Sequence, residues 1–425
     1  MKELLMSQSS RYPLLIALVI LSSFGFRSIA QVRQPQTSSR TVFADRFPGA
    51  DLGARINAAD RSLGAAAGEI VVRGGGKIST QVIVSKGHTL RFMRGIYAPD
   101  TTGIPILLKS GSSLVGESWD AIILESPAAN QFTVIKAYNN LHNQAADSDI
   151  TVRDIQIKGA NPGFDSAQQA VSLGNCSRCI VNNVWVNGTR SIGIQLGGAS
   201  EEGNFAQDSK VTNCLFTRVA SQNLALVNGR NIVFEGNRFL APSQAGGPGS
   251  TAIDLEPNSA SDRLQNVIVR NNMIDARNAE LPTAGNGILA QAGSGTTLVG
   301  PIIIENNTII GGSIQPPVTK KISNALYLLG PMKDVTIRNN RVTRTGQAGI
   351  HIEGTRLIVT GNQFTDVGGG GIAGFRIQNV TDSQIVGNTF TYTGQGSADA
   401  TMELLGANRN NVIRNNTGFG APQAR

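Results

Sequence analysis

The sequence predicts an all-β chain that winds as a parallel β-helix of about ten or more coils, with an amphipathic helix over its first coil. Two strand phrases that alternate along the chain and one helical stripe before them support this prediction. The first phrase, an apolar strand followed by Asn and a second apolar strand, recurs from Ile150 to Gly420. The chain also has 49 Gly and few aromatic or charged residues, which suits tight turns around an aliphatic core.

The Asn phrase is clearest in NVIVRNNMID (Asn266–Asp275) and DVTIRNNRVT (Asp334–Thr343). Asn tolerates left-handed backbone, so it can bend a strand within one or two residues. Stacked coils would also place the Asn side chains over one another, where their amides can form a hydrogen-bonded ladder. The predicted turn residues are 22 to 35 positions apart: Asp154, Asn183, Asn213, Asn237, Asn272, Asn307, Asn340, Asn362, Asn388 and Asn416.

The second phrase is a strand with period-two patterning, as in TAIDLEPN (Thr251–Asn258) and AGIHIEGT (Ala348–Thr355). In such a strand, alternate side chains face the core and the solvent. Because the two phrases alternate, each coil should run as strand, connection, strand, Asn turn, strand and connection.

The N-terminal end divides into three parts. Residues 1–30 are typical of a removable export signal, because the apolar run Leu14–Phe26 follows basic residues and precedes a small-residue cleavage site. This predicts a secreted or periplasmic protein with no membrane segment after signal removal. Residues 31–48 are predicted to be a linker, and residues 49–425 the β-helix domain.

An apolar stripe at helical spacing opens that domain. We expect Asp51 to cap the helix at its N-terminus and Gly64 to end it. Such a helix can cover the open edge of the first coil. The stripe consists of Leu52, Ile56, Ala59 and Leu63.

Charge and cysteine content limit the partners. The formal net charge is +8, which favours an acidic polysaccharide as partner, although ordinary solubility explains it equally well. Nucleic acid is not expected, because no basic cluster interleaved with aromatic residues is present. Cys176 and Cys179 could form a disulfide after export. The tail Gly418–Arg425 contains no evident cap, so the chain could oligomerise through its C-terminal end.

The opening of this domain resembles that of a known protein family. The stretches GADLGARINAADRSLG (Gly49–Gly64), GEIVV (Gly68–Val72) and ILLKSGSSLVGESWDAIIL (Ile106–Leu124) are similar to the start of the pectate-lyase-like superfamily, in particular its rhamnogalacturonase or epimerase-like branch. With the Asn-turn coils, the resemblance covers about residues 49–417. It implies a right-handed β-helix and action on an acidic polysaccharide. The best-known catalytic motifs of the family are absent, so the resemblance assigns no catalytic residue.

Candidate site residues come instead from the outward face of the second strand phrase. With Ile253 and Leu255 facing the core, Asp254 and Glu256 should face outward. At the ~4.8 Å spacing of coils, Asp254 should lie roughly 14 Å before His351 in the same row. The same register places a further set outward: Gln195, Tyr327, His351, Glu353, Arg376, Gln378 and Glu403. The longer connections Ala160–Gln168, Ala241–Ser250, Ala276–Gly285 and Gly311–Ser323 should form walls beside this row.

Two chemistries fit these residues. In a lyase or C5-epimerase, Arg376 would neutralise a uronate carboxylate while His351 or Tyr327 served as base or acid, with Glu353 beside them. Asp254 and Glu256 would then be a subsite or a Ca²⁺ ligand pair. We expect Gln195, Gln378 and Glu403 to bind substrate.

The second chemistry is an inverting hydrolase. Its two carboxylates stand ~6.5–9.5 Å apart, and the spacing of Asp254 and Glu256 along a strand fits that range. A third alternative is a non-catalytic, adhesin-like β-helix that binds glycans at the cell surface.

Overall fold

The fold is known from a computed structural model, in which three long parallel sheets wind around one core. The structure describes residues 40–101, 103–124, 133–141, 146–159, 169–198, 205–242, 251–278, 285–292, 298–313, 319–320, 322–330, 332–394, 398–420 and 422–424. The predicted export signal and most of the predicted linker lie outside these residues. Within the described helices, none is long and apolar enough to cross a lipid bilayer.

In each full coil the chain passes through sheet 1, then sheet 2, then sheet 3. Sheet 1 consists of Val82–Val84, Ile106–Leu108, Ile135–Ala137, Gln169–Leu173, Ile192–Leu196, Leu224–Leu226, Thr251–Leu255, Asn286–Gln291, Leu326–Leu329, Ile350–Thr355, Phe375–Thr381, Met402–Leu405 and Gln423–Ala424. Sheet 2 consists of Arg40–Phe43, Gly68–Val72, His88–Phe92, Ser113–Gly116, Asp147–Ser148, Thr151–Arg153, Cys176–Ser177, Ile180–Asn182, Ala206–Gln207, Lys210–Thr212, Gly229–Glu235, Arg263–Arg270, Leu298–Val299, Ile302–Glu305, Val335–Arg338, Ile358–Thr360, Gln384–Val386 and Val412–Arg414. Sheet 3 consists of Gly76–Ile78, Gly95–Pro99, Ala121–Leu124, Gln156–Lys158, Trp185–Asn187, Leu215–Thr217, Arg238–Leu240, Met273–Asp275, Thr308–Ile310, Arg341–Thr343, Gln363–Thr365 and Thr389–Thr391.

The strands of these three sheets pair in parallel with strands of neighbouring coils, so the predicted parallel β-helix is confirmed. Sheet 2 begins with Arg40–Phe43, whose residues pair in register with Gly68–Val71. A short 3₁₀ helix, Ala44–Arg46, follows this strand. The prediction of a linker over residues 31–48 is therefore wrong from Arg40 onward, because Val42 is buried in the core and the strand completes the edge of the sheet. Gly312–Ser313 and Thr319–Lys320 form a separate antiparallel pair.

The predicted capping helix is Leu52–Leu63, and it packs against strands of the first coil. Asp51 caps it, because the Oδ1 atom accepts hydrogen bonds from the N–H groups of Gly53 at 2.7 Å and Ala54 at 3.3 Å. Its Oδ2 atom accepts from the hydroxyl of Thr80 at 2.6 Å, which ties the cap to the coil. Gly64 ends the helix at φ 67°, a value that few residues other than Gly adopt. A second, short helix is Tyr138–Leu141.

The turns between sheets 2 and 3 differ from the prediction in one respect. The sequence predicts left-handed backbone at all ten turn residues, and Asp154, Asn183 and Asn213 adopt it. In the seven later copies the preceding residue is left-handed instead: Gly236, Asn271, Asn306, Asn339, Gly361, Gly387 and Asn415. The prediction aligned the late copies one position too far along the chain. The Asn after each of these residues has turned its side chain into the coil.

Those inward asparagines form the predicted ladder. Asn307 is typical, because its backbone N–H and its Nδ2 both donate to Oδ1 of Asn340 at 3.0 Å, while Nδ2 also donates to the carbonyl of Val269 at 2.9 Å. Each rung thus satisfies buried backbone groups of the neighbouring coils. The ladder consists of Asn237, Asn272, Asn307, Asn340, Asn362, Asn388 and Asn416.

The interior contains one continuous aliphatic cluster that runs the length of the helix. Cys176 and Cys179 form the predicted disulfide at its edge, and Cys214 is a free, buried thiol whose pKa burial raises to about 12. His88 is buried, with Nδ1 2.7 Å from Oδ1 of Asp60, in accord with a structural role.

Candidate functional site

The outward residues of sheet 1 stack into a single column. In successive coils the strand pairs Gln195 with Ala225, Ala225 with Asp254, Asp254 with Leu289 and Leu289 with Tyr327. Tyr327 then pairs with His351, His351 with Arg376 and Arg376 with Glu403. The common column of Asp254, Tyr327, His351 and Arg376 is therefore confirmed, and their chemical roles remain predictions.

Tyr327, His351, Arg376 and Glu403 form one contiguous cluster in this column. The rings of Tyr327 and His351 meet edge to face, with centroids 5.2 Å apart. In the next coils, Nε of Arg376 donates to Oε2 of Glu403 at 2.8 Å. His351 and Glu403 are only 5% and 4% exposed. These outward side chains are thus covered by their neighbours, and they are not simply solvated.

The environment of His351 favours its neutral form. Burial lowers the pKa of the imidazole, and the positive charge of Arg376 acts in the same direction, while the hydrogen bond with Gln378 and the charges of Glu353 and Glu403 oppose it. Nε2 of His351 lies 3.0 Å from Oε1 of Gln378. Because an amide oxygen only accepts hydrogen bonds, this contact places the proton on Nε2 and leaves the lone pair on Nδ1.

Glu353 lies in the second outward position of the same strand and pairs in register with Gln378. Its Oε2 atom accepts from the backbone N–H of Gly330 at 3.2 Å, and its Oε1 atom accepts from Nδ2 of Asn379 at 3.0 Å. Glu353 therefore ties three consecutive coils together beside His351. This arrangement favours a positioning role for Glu353 over direct proton transfer.

Asp254 and Glu256 form a separate carboxyl pair. Asp254 is 1% exposed, and within the described residues its Oδ1 atom has no hydrogen-bond partner. Burial raises the pKa of Asp254 well above its usual value, the charge of Glu256 raises it further, and a hydrogen bond from Gln222 opposes both. Burial also raises the pKa of Glu256, against a hydrogen bond with Asp254 that lowers it. Both carboxyl groups are thus held toward their protonated forms.

The inverting-hydrolase alternative depends on the distance between these two carboxyl groups. Such an enzyme needs them ~6.5–9.5 Å apart. Asp254 lies in the strand Thr251–Leu255 and Glu256 directly follows it, and the suitable spacing of their carboxyl groups stays a prediction. A separate question is metal binding. The described residues contain no group of three or more His, Cys, Asp or Glu side chains that could hold a metal ion.

Gln195 lies in the same column but far from the cluster. It accepts a hydrogen bond from Nε2 of Gln169 in the preceding coil, and its own Nε2 donates to the carbonyl of Gly197 at 3.1 Å. Two coils separate it from Asp254 and five from His351. The structure therefore divides the predicted residues into three groups. These are the cluster around His351, the carboxyl pair of Asp254 and Glu256, and Gln195, which lies apart from both.

Sequence reasoning missed two residues that contact the predicted ones. Gln222 bonds to Asp254, and Asn379 bonds to Glu353. Gln222 lies just before the strand Leu224–Leu226, so period-two patterning gave no signal for it. Asn379 could have been noticed as a residue suited to left-handed backbone, since its φ is 48°. Most of the residues predicted to form groove walls lie outside the part of the chain that the structure describes.

Comparison with known proteins identifies the fold family. The family model described as "Right handed beta helix region" matches residues 140–320 and 318–421. Among solved structures, the Dettilon tailspike protein is 11% identical with a TM-score of 0.56 and matches over 91% of this chain and 68% of its own. A mutant tailspike of E. coli bacteriophage HK620, in complex with a pentasaccharide, is 17% identical with a TM-score of 0.50. That match covers 89% of this chain and 62% of the tailspike, so this chain spans about three-fifths of its length.

The A-module of the Azotobacter vinelandii mannuronan C-5 epimerase AlgE6 is also similar, at 11% identity and a TM-score of 0.46, over 90% of this chain and 99% of the module. No curated protein matches the sequence. Likeness to structures at these identities shows the fold alone. The family model covers most of the chain, and we conclude that this protein belongs to the right-handed β-helix family.

Proposed function

We propose that this protein is exported and acts on an acidic polysaccharide by β-elimination or C5-epimerisation, at the cluster formed by Tyr327, His351 and Arg376. The observation that carries the proposal is that an aromatic hydroxyl, a neutral imidazole and a guanidinium occupy three adjacent coils of one outward column. The pentasaccharide bound by the HK620 tailspike supports a glycan as ligand, because that protein uses the same fold.

The cluster supplies the groups that this chemistry needs. Arg376 keeps guanidinium N–H groups beyond the Nε–H that it gives to Glu403, and these would bind a uronate carboxylate and stabilise the charge that develops there. Nδ1 of His351 would accept the proton from C5. This role requires a neutral ring, which burial promotes by lowering the pKa.

Two outcomes then follow from the same carbanion-like intermediate. In elimination, the C4–O bond breaks, a C4=C5 double bond forms, and Tyr327 donates its proton to the leaving oxygen. In epimerisation, the C4–O bond stays intact and Tyr327 donates a proton to the opposite face of C5. Asp254 and Glu256, three coils before His351, would bind another sugar of the same chain, roughly 14 Å away. In that role a protonated carboxyl group of the pair would donate to a sugar hydroxyl or carboxylate, and the other carboxyl group would accept.

The test uses the purified protein with pectate, alginate and rhamnogalacturonan, with and without Ca²⁺. Elimination gives new ultraviolet absorbance from the unsaturated product, and epimerisation gives changed sugar composition without chain cleavage. His351→Gln should lower either activity by about 10²–10⁴-fold. New reducing ends without unsaturation would show hydrolysis, and no reaction on any polymer would leave a glycan-binding protein; either result would overturn the proposal.

Matched controls are available elsewhere on the surface. Tyr327→Phe should lower activity, whereas Tyr392→Phe should not, because Tyr392 is 57% exposed and lies beyond sheet 3. Arg376→Gln should likewise lower activity, whereas Arg356→Gln should not. Both arginines pair with a carboxylate, but the partner of Arg356 is Asp334 at the start of sheet 2. Equal losses in both members of a pair would indicate damage to the fold.

A further inference from the structure

The two tryptophans of the chain, Trp119 and Trp185, lie together on the outside of sheet 3. Their ring centroids are 5.7 Å apart, with the ring planes at 55°. Trp119 comes from the turn between Ser113–Gly116 and Ala121–Leu124. It reaches two coils along the helix axis, where its Nε1 donates to the carbonyl of Asn183 at 2.8 Å. Two single residues 66 positions apart have thus been brought into one aromatic pair.

Both indole N–H groups are satisfied by the protein. Nε1 of Trp185 donates to Oγ1 of Thr217 at 2.8 Å, just as Trp119 is bonded to Asn183. These bonds fix both rings, and each Trp residue remains partly exposed. A buried Trp serves the core, but two fixed and partly exposed rings offer apolar surface to a ligand.

A depression of about 390 Å³, the size of a small-ligand site, adjoins Trp119 of this pair. Besides Trp119, its lining is polar: Glu117, Ser118, Asp120, Asp154 and Asn183. The carboxylates of Asp154 and Glu117 both have hydrogen-bond partners within the protein. Asp154 accepts from Nδ2 of Asn183 at 2.7 Å and pairs with Arg153, and Oε2 of Glu117 accepts from the backbone N–H of Arg94 at 2.9 Å.

We propose that this depression binds a neutral glycan, with a pyranose ring stacked on Trp119, which Trp185 supports, and with its hydroxyl groups bonded to the carboxylates. The C–H face of a pyranose is apolar and suits an indole face, while its hydroxyls donate to carboxylate oxygens. A uronate would meet three carboxylates and be repelled. The site therefore selects a different sugar class from the cluster at His351.

The two sites are also separate in space. Trp185 precedes the strand Ile192–Leu196 of sheet 1, and five coils separate that strand from His351, roughly 24 Å along the axis. The tryptophans lie on sheet 3 and His351 on sheet 1. Binding at the tryptophans thus needs no part of the proposed reaction, and its test does not depend on that activity.

Intrinsic fluorescence reports on this site directly, because both tryptophans of the protein belong to it. The probes are neutral gluco-, manno- and galacto-oligosaccharides, compared with an oligogalacturonate and with choline as a simple cation. We expect a saturable change in tryptophan emission with at least one neutral probe and none with the oligogalacturonate. No response to any neutral probe, or a response only to the uronate or only to choline, would overturn the proposal.

Variants separate binding from folding. Trp119→Ala should weaken the neutral glycan by about tenfold, whereas Trp119→Phe should retain most of the affinity, because it keeps an aromatic face. Calorimetry serves as the readout for both. Thr308→Ala, on the outward side of sheet 3 in a later coil, is the matched control and should bind normally. If Trp119→Ala misfolds by circular dichroism, Asp120→Asn in the exposed rim carries the test and should also weaken binding. Unchanged affinity in the folded variant would refute the assignment.

Discussion

The early coils (residues 68–235) and the late coils (residues 236–420) use the same winding to present chemistry on different faces. In the early coils the outward column of sheet 1 contains Ile83, Leu107, Lys136 and Ser172, and the aromatic pair lies on sheet 3. In the late coils sheet 1 contains the cluster around His351, and outward residues of sheet 3 include Arg341 and Gln363, both exposed. Inward residues and turns maintain the winding, so the outward columns are free to vary from coil to coil.

The same two regions fill the turn between sheets 2 and 3 differently. After the left-handed residue, the early copies bury Ile155, Val184 and Cys214, whereas the late copies bury an Asn of the ladder. The left-handed bend is therefore common to both regions, and the residue after it is not dictated by the bend. The residue after the bend can therefore be stabilised either by apolar packing or by amide hydrogen bonds.

The largest expected effect comes from removing one rung of the ladder. Asn307→Ala leaves the backbone N–H of Asn272 and the carbonyl of Val269 without their side-chain partners, which should cost about 2–6 kcal/mol of unfolding free energy. Ile155→Val, at the equivalent early position, should cost about 0.5–1.5 kcal/mol. Denaturant unfolding followed by circular dichroism measures both. Equal losses would mean that the ladder adds nothing beyond packing.

Replacing Asp254 should change the free energy of unfolding by a smaller amount and in the opposite direction, toward higher stability. Its raised pKa means that the stability it contributes is present below the unfolded pKa of about 3.9 and is lost as pH rises through the folded pKa. Asp254→Asn cannot ionise, so it should be about 1–3 kcal/mol more stable than the natural protein at neutral pH. The extra stability of Asp254→Asn should shrink below about pH 4. Measuring the thermal midpoint of both proteins as a function of pH checks this prediction.

Asp275→Asn is the matched control with the opposite expectation. Burial alone would raise the pKa of Asp275, but hydrogen bonds from the guanidinium and the backbone N–H of Arg277 outweigh it, and the pKa is lowered. Its stabilising contribution is present above the unfolded pKa and is lost as pH falls through the folded one. This variant should be less stable at neutral pH. A loss in both variants would contradict the account of Asp254.

The protonation of His351 is open to a direct measurement. Because burial lowers its pKa, the ring should stay neutral to a lower pH than the usual value of about 6.5. Gln378→Glu places a carboxylate against Nε2 and should move the titration midpoint to higher pH. Nuclear magnetic resonance can follow this, since the chain has only 3 His and His351→Gln assigns the signal. A midpoint that does not move would mean that Gln378 is not its partner in solution.

The smallest effect is expected on the outer surface. Arg356 and Asp334 form an exposed pair, with 2.6 Å between Nη2 and Oδ2, before consecutive strands of sheet 2. Solvent screens such pairs, so Arg356→Gln should change the thermal midpoint by less than about 1 °C. A loss comparable to that of Asn307→Ala would show that the outer pairs share the function of the buried ladder.

By itself, the sequence determined the winding, the capping helix and the sheet-1 register. Each of these follows from local rules, since period-two patterning, helical spacing and turn residues act within a few positions of one another. The common column of Asp254 and His351 could be predicted because every coil contributes one strand to sheet 1. The offset of the late turns was missed because Asn-Asn and Gly-Asn pairs leave open which of the two residues bends the chain.

Only the tertiary structure decided which outward side chains meet. The burial of Asp254 and His351 and the approach of Trp119 to Trp185 depend on side-chain directions and on how coils stack. The two tryptophans are 66 positions apart, and no periodicity encodes their contact or the burial of the two other side chains. The backbone repeat sets where each strand lies, while the chemistry depends on the side chains that neighbouring coils bring together.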